Sequence, residues 1–187
     1  MVPMKEITMN TQFASPERAP RADILRLRDS VEAGGIIPRL LNATGQMMAV
    51  LNSHRQIVYC NRAFLDAVGA KEMSVVLGLR TGEAFDCVRA GENKSGCGTT
   101  PGCATCGALR ATLQAQRGAA DMEECRIRSR VVGSDLDLRV WATPFPRGDE
   151  ELVIFAAQDI SHEKRCRTLR RARRRNSFRS SGRSQEN

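Results

Sequence analysis

The apolar positions Ile24, Leu27 and Val31 recur at helical spacing, with Arg26, Asp29 and Ser30 on the opposite side of the same turn pattern. This period predicts an amphipathic helix over residues 20 to 33, opened by Pro20 and stopped by Gly34 and Gly35, so that residues 20 to 36 form one unit. Such a stripe must be buried against something, and a second copy of the chain, as in a homodimer, would serve. Pro38 can open another short helix carrying Leu40 and Leu41.

The period then changes. Met47 to Leu51 and Ile57 to Cys60 are short apolar runs around a polar turn, the pattern of a β-hairpin. Asn61 suits the N-cap of a helix over 62 to 68 that turns Phe64, Leu65 and Val68 to the sheet, and Gly69 ends it. Helical pieces are expected over 73 to 77 and 83 to 88, broken at Gly78 and Gly82. Thr100 and Pro101 read as the start of a longer helix through Leu109 and Leu113 to Gly118. Beyond it, Cys125, Ile127 and Val131 alternate with Arg126, Arg128 and Arg130, and Leu136, Leu138, Val140 and Ala142 alternate with polar residues and Trp141. Period two predicts half-buried antiparallel strands. Residues 144 to 150 read as a turn, and 152 to 157 as the last and most apolar strand.

Composition and charge narrow the picture. A chain of 187 residues holds one domain with tails, and only 4% aromatic residues makes its core aliphatic. No apolar run approaches the roughly 20 residues that cross a bilayer, so an integral membrane protein is excluded from expectation. The net charge of +8 is uneven: residues 164 to 187 carry ten Lys and Arg against one Glu, whereas residues 1 to 163 are close to neutral. A basic tail over 166 to 187 admits binding to nucleic acid or an acidic membrane, or a solvated extension, and the solvated reading is the usual one for a charge run. Residues 1 to 19, with Pro3 and Pro16 and little periodicity, read as a flexible leader.

Chemistry concentrates between residues 87 and 107. Four of the seven cysteines, Cys87, Cys97, Cys103 and Cys106, fall there beside glycines at 96, 98, 102 and 107. Clustered cysteines without a disulfide-like spread point to a reducing, cytoplasmic setting. Tightly folded glycine loops can bring thiolates together for structural zinc, for an iron–sulfur cluster or for a reversible thiol switch, and the spacing does not choose among them. Cys103 and Cys106 are expected three apart on one helix face, near first-turn amides that favour thiolates. Cys60 and Cys125 read as buried core residues, and Trp141, Phe145 and Phe155 as packing residues. No carboxylate pair, Ser-His-Asp set or phosphate-binding loop marks an enzyme.

The order hairpin, small helices, longer helix and three strands resembles a PAS domain over residues 37 to 165. Val50-Leu51, Ile57-Val58-Tyr59, Asn61-Arg62-Ala63-Phe64 and the exit Gln158-Asp159-Ile160-Ser161 carry the likeness. The resemblance implies an α+β fold with a five-stranded antiparallel sheet and helices on one face. Cys87, Gly96-Cys97-Gly98 and Cys103-Ala104-Thr105-Cys106-Gly107 are similar to the cysteine-rich version in bacterial two-component sensor histidine kinases. This implies a sensory signalling module, non-enzymatic here because the residues after 165 are too few for a kinase core, with output through a kinase or other partner. Loss of apolar periodicity after residue 165 also suits a shifted reading frame downstream of a kinase input domain. A zinc-stabilised adaptor or nucleic-acid-associated regulator using the basic tail is the alternative.

Overall fold

The computed structural model describes residues 13–129 and 135–170. Most of the leader, residues 130–134 with the expected strand end at Val131, and the basic run from 171 onward lie outside the described residues.

Five strands, β1 (Met47–Leu51), β2 (Ile57–Cys60), β3 (Asp121–Arg128), β4 (Asp135–Arg147) and β5 (Glu150–Asp159), form one sheet in the order β2-β1-β5-β4-β3. All neighbours are antiparallel. The alternation read from the sequence fixes which side chains face inward. Ala49, Leu51, Ile57, Leu138, Val140, Ala142, Val153, Phe155 and Ala157 form one buried cluster with Phe64, Phe85 and Ala111 from the helical side. The Phe64 and Phe85 rings meet edge to face at 5.4 Å, a favoured geometry for aromatic pairs.

The helices on that face are α3 (Arg62–Ala67), α4 (Thr81–Ala84) and α5 (Gly107–Gln116). Asn61 caps α3 as expected. Its carbonyl oxygen accepts the Phe64 and Met48 amides at 3.0 and 2.9 Å, and its amide donates to the Leu41 and Gln46 carbonyls at 2.8 Å each. One side chain thus caps the helix and ties it to β1.

The other face of β1 and β2 is covered by α1 (Arg21–Glu32) and α2 (Ile36–Asn42). Ile24, Leu27 and Val31 pack with Val50, Val58 and Leu152 in a second buried cluster. The stripe expected to reach a second copy is therefore consumed within the chain.

Three expectations differ. Residues 13–19 are not a free leader, because Ala14 is buried against Cys103 and Leu109. Residue 82 lies inside α4 and does not break it, and the piece expected over 83 to 88 gives way to a 3-10 turn, Val88–Gly91. Most plainly, β4 runs through Pro144 and Pro146, opposite Val153 and Glu151 of β5. The β3 pairing stops at Ala142, so the far edge of β4 is free there and missing proline amides cost no ladder bond. The turn shrinks to the Gly148-Asp149 corner. After β5, a helix, α6, runs over 161–170 to the end of the described residues.

Candidate functional site: a cysteine-lined cavity

Between α4 and α5 the chain makes two 3-10 turns, Val88–Gly91 and Pro101–Cys103. The helix expected from Pro101 begins only at Gly107, with Cys106 as its N-cap in extended conformation. Thr100 and Pro101 do start a turn, and the Thr100 hydroxyl lies 3.3 Å from Cys103 Sγ. It cannot continue, because α5 is drawn onto β3: a Cβ on Gly107 would overlap the Glu124 carbonyl oxygen. Cys103 and Cys106 therefore sit on consecutive elements and not on one helix face.

Cys87, Cys97, Cys103 and Cys106 all line one internal cavity of about 40 Å³, walled by Leu51, Phe85, Leu109 and Phe155. That space admits a few water-sized molecules, far below the roughly 300–1,000 Å³ of organic ligand pockets. Among the described residues, no three Cys, His, Asp or Glu side chains converge to hold a metal ion. Burial, and then Cys106 and Cys103, push the Cys97 thiol up to about 12. The four cysteines share one cavity.

A fifth cysteine joins them. Cys125, buried on β3, is the neighbour of Cys106 across the Gly107–Glu124 contact, and Cys106 and then burial push its thiol up. Cys106 is lowered to about 6, first by the Cys125 thiol that donates to it, with the Leu109 and Ala108 amides and Arg89 also favouring the thiolate against burial. Sequence spacing gave no sign of this partner, since the pair is made by docking α5 on β3. The Cys125 alternation signalled burial, and burial is observed. Cys60 is an inert core thiol, pushed up to about 12 by burial alone.

Two charged residues that the sequence did not single out frame the loop. Arg80 is buried, and its guanidinium donates to the carbonyls of His54, Ser95, Cys97, Ser15 and Glu17 at 2.8 to 3.2 Å. Saturation by fixed carbonyl dipoles makes that burial tolerable. Glu83 accepts from Arg18 at 2.5 Å and from the Arg80 and Cys97 amides at 2.9 and 3.0 Å. Burial opposes its charge, but these donors hold its carboxyl below the usual range. Gly82 leaves room for Cys97, whose Sγ would lie 2.6 Å from any Cβ there.

Arg126 joins the cavity to the exit of the domain. It stands on β3 between the inward-facing Cys125 and Ile127 where the strand borders the cavity, and its exposed side chain donates through Nη2 to Asp137 across 3.2 Å. The same Asp137 carboxylate accepts from Lys164 of α6 at 3.1 Å, and its backbone amide donates to Ser161 Oγ at 2.9 Å. Four bonded groups, Arg126, Asp137, Ser161 and Lys164, lead from the cavity wall to α6.

No family model matches the chain, and no curated protein matches it in sequence. Solved structures do match in shape. An RNA-binding light-oxygen-voltage receptor superimposes with a TM-score of 0.52 at 19% identity, over 75% of this chain and 37% of that one. The strand order and flanking helices agree with that match. The fold is PAS-like. The PAS domain of an HTR-like protein from Haloarcula marismortui gives 0.46 at 20% identity, over 72% of this chain and 98% of that one. The PAS domain of BvgS from Bordetella pertussis gives 0.44 at 16% identity, over 74% and 95%. Among the described residues of this PAS-like chain, no helix is long and apolar enough to cross a membrane.

Proposed function

We propose that the chain is a sensory module that responds to redox state through its cysteine-lined cavity and passes the response to a protein partner through α6. The observation that carries this reading is Arg126, which borders the cavity and bonds the carboxylate holding α6. A covalent change at the cysteines moves the β3 backbone at Cys125, and Arg126 is the next residue along it. Its ion pair with Asp137 then shifts, and with it the grip on Lys164. The thiols themselves are the receptor in this reading, and neither zinc nor an iron–sulfur cluster is needed for it.

The test is hydrogen exchange of the full chain in reduced and oxidised dithiothreitol buffers. Oxidation should change the protection of residues 161–170 in the wild type, and a variant with Cys87, Cys97, Cys103 and Cys106 all replaced by Ser should show no such change. Unchanged protection of 161–170 in a chain whose thiols are demonstrably oxidised would overturn the proposal.

A further inference from the structure

The cavity holds more cysteines than one switch needs, and their surroundings differ. Cys97 lines the cavity with its thiol pushed up to about 12, and Cys60 lies in the core, away from the cavity. Cys106 faces the cavity, whereas Cys125 does not line it and is buried. The two are held together by backbone. Gly107 is pressed on the Glu124 carbonyl, and Cys106 and Cys125 are the residues on either side of that contact. Arg89, whose guanidinium donates to the Gly102 carbonyl, borders the cavity near Cys106 and supplies positive charge there.

We propose that Cys106 and Cys125 form a reversible disulfide, with Cys106 the attacking thiol, Cys125 the resolving thiol and a small hydroperoxide the oxidant. The assignment rests on the redox reading above and names its atoms. The Cys106 thiolate attacks one peroxide oxygen; the S–O bond forms as the O–O bond breaks, and the departing oxygen takes a proton and leaves as water. Cys106 is then a sulfenic acid, oxidised by two electrons as the peroxide is reduced. The Cys125 sulfur attacks the Cys106 sulfur; the S–S bond forms, the S–O bond breaks, and the hydroxide leaves as a second water with the Cys125 proton. Two thiols and one hydrogen peroxide give one disulfide and two waters. A cavity of about 40 Å³ admits hydrogen peroxide and refuses a branched alkyl hydroperoxide.

The experiment treats the reduced full chain with one equivalent of hydrogen peroxide, blocks remaining thiols, and maps bridges by fragmentation mass spectrometry without reduction. The expected product lacks two hydrogens and joins Cys106 to Cys125, and tert-butyl hydroperoxide gives markedly less of it. In Cys125→Ser, Cys106 should be trapped as a dimedone adduct; in Cys106→Ser, Cys125 should remain a free thiol. A bridge among Cys97, Cys103 and Cys106, or no bridge at all, overturns the pairing in the wild-type chain whether or not the variants fold. A bridge at Cys106–Cys125 without altered exchange at 161–170 supports the pair and overturns only the sensing role.

Discussion

Lys164 donates to Asp137 across 3.1 Å, and this contact joins α6 to a residue of β4 whose carbonyl also accepts the Ile160 amide at 2.8 Å. Side chain and backbone thus hold the start of α6 from one point on the sheet. Lys164→Met should leave the domain folded while speeding exchange at 161–170, at a stability cost of about 1 kcal/mol or less because the pair is partly exposed. Salt should narrow the difference between variant and wild type.

Arg80 is the residue whose loss should be felt most. Arg80→Met leaves five carbonyls from three chain segments without their donor. Denaturant unfolding should report a loss of about 3 kcal/mol or more. Arg80→Lys keeps the charge but not the planar fork, so it should recover only part of that.

Acid should loosen the cysteine loop through Glu83. Its folded pKa lies below the unfolded value, so its contribution is present above the ordinary carboxylate pKa, about 4.3, and is lost as pH falls through the folded value. Urea midpoints measured from pH 7 to pH 3 should therefore fall more steeply for the wild type than for Glu83→Gln. The variant should be the less stable at pH 7 and converge with the wild type in acid.

Gly107→Ala tests the contact that sets the cysteine pair. The new Cβ meets the Glu124 backbone, which cannot swing aside as a flexible side chain would. The cost of about 2 kcal/mol for forced overpacking should exceed the gain of about 1 kcal/mol from replacing a helical glycine. Thermal melts decide it, with Gly45→Ala as control, since nothing lies within 4 Å of a Cβ there.

Local signals in the sequence carried much of the fold. The runs at 47–51 and 57–60 became paired strands, and Asn61 became the cap, because alternation and capping depend on near neighbours. The shared cavity of Cys87, Cys97, Cys103 and Cys106 was also legible from their clustering. Cys125 was not, because its meeting with Cys106 arises from α5 lying on β3. Arg80 was hidden for the same reason: its five acceptors come from segments 26 to 65 residues away, or 15 and 17 residues ahead in the loop. Pro144 and Pro146 misled in the opposite sense, since proline breaks a strand only where its amide is needed, and the edge of β4 does not need it.

The burial of Ile24, Leu27 and Val31 against β1 and β2 divides the outer face of the sheet into two territories. One is already occupied by the chain's own α1; the other, over β3 and β4, carries α6, whose Lys164 and Glu163 pair with Glu124 and Arg139, and leaves Met122 exposed and Trp141 partly so. A partner landing on β1 and β2 would first have to evict α1 and wet three aliphatic side chains, an entry barrier of about 5 kcal/mol.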